Sequence, residues 1–370
     1  MGNSSTIVLI ILAVCLLPSA WVSVQEMRER GSLSEQVSAY QQIADAATSE
    51  GDRESAIVAL RAARRLQPAR MGVERKLLLS ECALSAEKPQ SLTQAGALSL
   101  PIRLKVAGLT AGDSPEVAVA LGQIEVFHGR TTAAKALFEA AVQDHPKSAL
   151  AHYCLAKTYL LEKKLEEASK SIESAIDLEP KSALYRQAQG RTLSRQEKWG
   201  GAVEAFARAT EIKESPLGFL QLGEAQLKLG NHEAAVRSLE RAKEGLTKPE
   251  LIGRARSALG FAFYKGGKLP ESAVELEAAA RVGQDSGVLF NLGKVRYELG
   301  QHRLSMLAFQ AGLKGQPGNT GAHVELMRAL LGLGQKEHAR KVRARLVSLA
   351  QRDPAAKGDL QRADALLGIR

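Results

Sequence analysis

From Ile7 to Val24 the chain holds eighteen residues without a charge, IVLIILAVCLLPSAWVSV, and the first charged side chain after them is Glu26. That length and polarity predict one helix just able to cross a bilayer. Beyond residue 36 the pattern changes. Apolar positions recur at three- and four-residue intervals over stretches of three or four helical turns, broken by Gly, Pro and charged residues. These intervals line one face of a helix, so the chain reads as a succession of amphipathic helices.

The helices come in pairs with a fixed register. A small residue in a first helix is followed seven residues later by a turn residue, then by a small residue, a bulky apolar residue and a further small residue in a second helix. One copy runs Leu121-Gly122, Gly129, Ala134, Phe138, Ala141, Pro146. Displaced by 34 residues at every slot are Leu155-Ala156, Lys163, Ala168, Ile172, Ala175, Pro180, and the next step of 34 gives Gly190, Ala202, Phe206, Ala209. Looser copies carry Gly223, Gly230, Ala235, Leu239; Gly260, Gly267, Ser272, Leu276; Gly293, Gly300, Ser305, Phe309; and Met327, Gly334, Ala339. A copy near the front has Ala44, Gly51, Ala56, Leu60, Ala63 and Pro68. Small residues such as Gly122, Ala134, Gly190 and Ala202 let paired helices approach closely. Gly51, Gly129, Gly230, Gly267, Gly300 and Gly334 stand where the first helix must end in a left-handed turn. Pro68, Pro146, Pro180 and Pro317 stop the second helix.

Over about 315 of the 370 residues this pattern resembles the tetratricopeptide repeat family. The resemblance implies an all-α fold, a right-handed superhelical solenoid of helix-turn-helix repeats that binds peptides or proteins, with no unit able to bury its apolar face alone. The expected organisation is an anchor or signal segment over 1–25, a juxtamembrane linker over 26–36, a first repeat over 37–70 and seven repeats over 115–353. The segment 71–114, interrupted by Pro89, Gly96, Pro101, Gly108 and Gly112, departs from the pattern as a degenerate repeat or a hinge. Residues 354–370 read as a capping helix.

Composition supports an all-α reading: 4% of residues are aromatic, against 32 glycines. The net charge is +10, and 45% hydrophobic with 24% charged residues describes a folded chain. Cys15, Cys82 and Cys154 form no CxxC pair and no disulfide framework. The N-terminal run has two readings, an uncleaved single-pass anchor or a cleaved signal segment. Lipidation at Cys15 or Gly2 fits the motifs poorly, because Leu16-Leu17 follow the cysteine and a spanning helix makes an acyl chain redundant. Arg28 and Arg30 follow the run and no cation precedes it, which favours a cytoplasmic solenoid; cleavage implies export.

No catalytic residue, metal site or cofactor is expected. The seven histidines fall at repeat slots or turns, and Gly260 to Lys268 has Ala262 and Leu269 where a phosphate loop needs Gly and Ser or Thr. The binding expectation rests on the resemblance, which places the concave wall on the first helices. Their stripes are Tyr153-Lys157-Leu160, Gln187-Arg191-Ser194, Leu220-Glu224-Leu227, Ser257-Phe261-Tyr264, Phe290-Lys294-Tyr297 and Val324-Arg328-Leu331. The candidate groove residues are Tyr153, Lys157, Arg191, Phe261, Tyr264, Phe290, Lys294, Tyr297 and Arg328, with Glu224 as the one acid on the stripes. Such a set suits an acidic peptide with apolar anchors. The competing reading is that Phe261 and Phe290 pack against neighbouring units and the cations are solvated. Two basic runs, Arg61 to Lys76 and Lys336 to Arg352, each hold six cations and one acid. They lack the interleaved aromatics of a nucleic-acid site, so nucleic acid is disfavoured as a partner. The chain is expected to be a non-enzymatic, membrane-tethered adaptor for protein partners, the alternative being an exported or lipid-anchored accessory subunit.

Overall fold

The computed structural model describes residues 32–50, 52–87, 94–283 and 285–369. The apolar run 7–24, Cys15, Gly51 and Pro89 lie outside them. Among the described residues there are nineteen α-helices, one 3-10 turn and no strand. They fall into two compact units, one ending at Pro180 and one beginning at Lys181.

The first unit holds α1 (Leu33–Ser49), α2 (Arg53–Leu66), α3 (Met71–Glu87), α4 (Gln94–Val106), α5 (Pro115–Phe127), α6 (Thr131–Asp144), α7 (Ala149–Leu161) and α8 (Leu165–Leu178). Helix α1 begins inside the stretch expected as linker, because Ser32-x-x-Glu35 is a capping box: the Glu35 amide donates to Ser32 Oγ at 3.3 Å and the Ser32 amide to the Glu35 carboxylate at 2.6 Å. The hairpins α1/α2, α5/α6 and α7/α8 follow the register. The segment 71–114 contains two helices that do not form one: α3 packs on α2 and directly on α5, while α4 touches α3 and α5 lightly. Pro101 lies inside α4, and Leu98, Ile102 and Val106 are exposed on it. What holds α4 is its buried face (Ala97, Leu100, Leu104) against Leu78 and Cys82, and an ion network. Arg103 donates to Glu74 at 2.9 Å and to Glu81 at 2.7 Å, and these carboxylates also take Arg64 and Arg61. With Lys76 on Asp45, three of the first basic run's six cations are paired, two of them by acids from outside it, which the linear sequence concealed.

The second unit holds five hairpins: α9/α10 (Ala183–Arg195, Trp199–Ile212), α11/α12 (Pro216–Leu229, His232–Gly245), α13/α14 (Pro249–Lys265, Leu269–Val282), α15/α16 (Ser286–Glu298, His302–Gly315) and α17/α18 (Thr320–Gly332, Lys336–Arg352). A 3-10 turn, Pro354–Ala356, leads to α19 (Lys357–Leu367), which packs on α17 and α18 as the expected cap. Within hairpins the small first-helix residue sits sixteen positions before the large second-helix residue it faces. A Cβ built on Gly190 would lie 2.7 Å from the Phe206 ring, and one on Gly293 2.8 Å from Phe309. Ser272 and Ser305, fully buried at the second small slot, donate their hydroxyls to the carbonyls of Gly260 and Gly293 at 2.7 Å. In α17/α18 the sizes are exchanged: Met327 fills the small slot and Arg343, at the bulky slot, pairs with Asp364 of α19.

The hairpin turns have positive φ at Gly129, Gly230, Gly267, Gly300 and Gly334, as expected. Lys163 (φ 61°) and Glu197 (φ 59°) take the same conformation at the same slot without glycine's freedom. Lys163→Gly and Glu197→Gly are each expected to stabilise the chain by about 0.5 kcal/mol, the left-handed strain relieved being partly offset by glycine's unfolded-state entropy. Urea unfolding midpoints check this, and an unchanged or lowered midpoint counts against it.

Candidate peptide-binding face

Successive first helices lie side by side: α5 against α7 in the first unit, and α11, α13, α15 and α17 in turn in the second. Spacings of four and three residues set most stripe positions at a common depth, with Gln187, Glu224, Ser257 and Phe261 half-buried where their counterparts are buried or exposed. Leu220, Phe290 and Val324 are buried, Arg191, Lys294 and Arg328 are exposed, and Leu227, Tyr264, Tyr297 and Leu331 are half-buried. Tyr153, Lys157 and Leu160 repeat that order in the first unit.

Two candidate aromatics are packing residues. Phe290 is stacked on Phe309 with ring centroids 6.4 Å apart, and Gly312 on α16 leaves room for it. Tyr153 is 7% exposed, with the Lys157 ammonium 5.5 Å from its ring centroid. Three aromatics in the second unit stay at the surface. Phe261 and Tyr264 lie under the Lys265 ammonium at 5.5 and 6.0 Å. The Tyr264 hydroxyl donates to Glu298 at 2.7 Å, and that bond, with burial, pushes its pKa up to about 12, so the phenol remains a donor. Tyr297 lies under the Arg328 guanidinium at 4.8 Å, which also reaches Glu325 at 3.0 Å.

The acid content of this face is larger than the stripes suggest. Glu224 is held by Arg254, and Glu298 and Glu325 join it through Tyr264 and Arg328. Glu298 stands beside Tyr297 in the chain and 34 residues after Tyr264, a spacing that a one-stripe reading passes over. Arg254 lies a helical turn before its stripe on the longer α13. Lys157, Arg191 and Lys294 make no ion pair with another described residue. Each unit thus offers cations that pair with no described acid, and in the second Lys294 stands on the same helix as the half-buried Tyr297.

Both described cysteines are buried. Burial pushes the Cys82 thiol up to about 12 and the Cys154 thiol up to about 11. His152 and His323, at the same slot of different repeats, each place Nε2 3.0 Å from a proline carbonyl, Pro146 and Pro317. No described helix is long and apolar enough to cross a membrane.

Residues 37–70, 128–191 and 187–245 match models of the tetratricopeptide repeat. No curated protein matches the chain. Among solved structures, the anaphase-promoting-complex hetero-tetramer Cut9-Hcn1 aligns with a TM-score of 0.54 at 15% identity, over 83% of this chain and 58% of that one. PilW, a type IV pilus biogenesis factor, aligns at 0.49 and 19% identity over 58% of this chain and 98% of its own. YrrB, a protein of the same repeat with an unusual peptide-binding site, aligns at 0.44 and 20% identity over 54% and 97%. At these identities the likeness is one of fold. The hairpins from Pro249 onward lie outside the matched stretches, yet Gly260 on Leu276 and Gly293 on Phe309 repeat the same packing.

Proposed function

We propose, from the match of residues 37–70 and 128–245 to models of the tetratricopeptide repeat, that the chain is a non-enzymatic, membrane-tethered scaffold that holds a protein or peptide partner on its first helices. The observation that carries the reading is the second unit's surface set: Phe261, Tyr264 and Tyr297 half-buried beside Lys265, Lys294 and Arg328. Aromatics fixed at their base contribute contact area with little rotamer entropy to lose, and flanking cations select a partner bearing acids and set its register. The three paired acids on the face favour a partner with both apolar and acidic groups over a uniformly acidic one. The burial of Cys82 and Cys154 favours a non-catalytic reading. The uncharged run 7–24 supports the tether, and confinement to a bilayer raises effective concentration toward membrane-associated partners. Arg28 and Arg30 favour a cytoplasmic solenoid.

Arg191→Glu/Lys294→Glu reverses two exposed charges that support no ion pair. It is expected to weaken partner capture by about tenfold or more while the melting temperature holds; Tyr264→Phe, which loses only a hydroxyl, is expected to retain capture. Undiminished capture by the reversed variant removes this face as the binding surface. Deleting residues 1–25 is expected to release the chain from membranes, and full retention there overturns the tether alone.

A further inference from the structure

The second basic run, Lys336 to Arg352, is divided by helical phase. Arg340 pairs with Glu337, and Arg343 turns to Asp364. Lys341 and Arg345, one turn apart on α18, pair with no described acid and line a cleft of about 330 Å³. Opposite them stand Gln310 and Lys314 of α16, and the floor is Leu313, Leu326, Val342 and Pro317. Three cations thus converge on an apolar floor without a carboxylate, and like charges one turn apart cost a few tenths of a kcal/mol unless an anion joins them.

His323 adds an independent observation. It lines the cleft, is 5% exposed and places Nε2 against the Pro317 carbonyl, while its buried Nδ1 has no hydrogen-bond partner. With the proton on Nε2, Nδ1 is an acceptor awaiting an N–H or O–H. The first unit supplies an internal comparison. There His152 makes the same contact with Pro146, but the positions matching Gln310, Lys314, Lys341 and Arg345 are Glu139, Gln143, Lys170 and Ser174. The cation cluster is therefore a property of the last repeat and not of the fold.

We propose that this cleft, built mainly by second helices, is a separate recognition site for a peptide segment that places a carboxylate beside an aliphatic side chain. The carboxylate sits among Lys314, Lys341 and Arg345, the aliphatic group covers Leu313, Leu326 and Val342, and a peptide N–H donates to His323 Nδ1. A fatty acid anion or inorganic phosphate satisfies only part of that set. The volume accommodates one or two side chains, so the segment is short.

The test is fluorescence anisotropy of a labelled peptide of alternating Asp and Leu, titrated with the full-length chain in neutral detergent at physiological ionic strength. Saturable binding is expected, weakened roughly tenfold to a hundredfold by Lys341→Glu/Arg345→Glu and less by Lys341→Gln/Arg345→Gln. Lys213→Glu, an exposed charge reversal that belongs to neither surface, is expected to leave it unchanged. Absence of binding overturns the proposal, as does undiminished binding in the α18 variants. Millimolar inorganic phosphate or phosphatidylglycerol vesicles displacing the peptide as well as unlabelled peptide does would mark a general anion site instead and likewise overturn it.

Discussion

Gly190→Ala is expected to destabilise the second unit by about 2 kcal/mol, and Phe206→Ile in the same chain to recover most of the loss. Alanine is intrinsically the better helix former by about 1 kcal/mol, so a net loss must come from packing. The new Cβ would stand 2.7 Å from the ring of Phe206, a residue 2% exposed with no free space to enter. Phe206→Ile alone leaves a void opposite Gly190 and is expected to cost about 2 kcal/mol. The double variant recreates the Ala156/Ile172 pair found 34 residues earlier, and both of those residues are buried. Additivity predicts a loss of about 4 kcal/mol; complementary sizes predict less than about 1. Urea unfolding midpoints of the four chains decide, and additive behaviour contradicts the pairing.

Arg103→Ala is expected to cost the first unit about 1–2 kcal/mol after allowance for partial solvent screening. The guanidinium spans Glu74 and Glu81, whose side chains are 18% and 13% exposed, and it is raised above the ordinary arginine pKa chiefly by those carboxylates against the cost of burial. Its removal leaves both acids to the more exposed Arg64 and Arg61, and leaves α4 with only its apolar face against α3. Arg103→Lys is expected to recover a minority of the loss, since an ammonium cannot fork between two carboxylates. Hydrogen exchange at the amides of α4 reports the effect: faster exchange there with unchanged exchange in the second unit fits the account, and unchanged exchange in α4 does not.

The repeat was legible because its slots are steric. A glycine or alanine sixteen residues before a phenylalanine, leucine or isoleucine encodes a close helix crossing, and Gly129, Gly230, Gly267, Gly300 and Gly334 encode the turn between. Lys163 and Glu197 were harder to place, since nothing in a charged side chain announces a left-handed backbone. The seat of α4 was not legible at all. It lacks a clean apolar phase, carries Pro101 and is held partly by Arg103, whose partners lie 22 and 29 residues away. The first-helix stripes came through as a periodic feature, with exposed Arg191, Lys294 and Arg328 where spacing put them. What escaped was charge pairing across repeats. Glu298 and Glu325 lie one position beside, or three before, the stripe residues, and only folding shows that they meet Tyr264 and Arg328. The second basic run likewise looked uniform until helical phase sent Arg343 to Asp364 and Lys341 with Arg345 into a cleft.

The most direct measurement of the central claim is site-resolved photo-crosslinking in native membranes. A photoreactive phenylalanine replaces Tyr264 on the first-helix face in one chain and Val274, 63% exposed on α14, in another. The account predicts discrete crosslinks to a protein partner from position 264, reduced by Arg191→Glu/Lys294→Glu, with none to the same partner from position 274. Crosslinks to that partner from position 274 and none from 264 would contradict it.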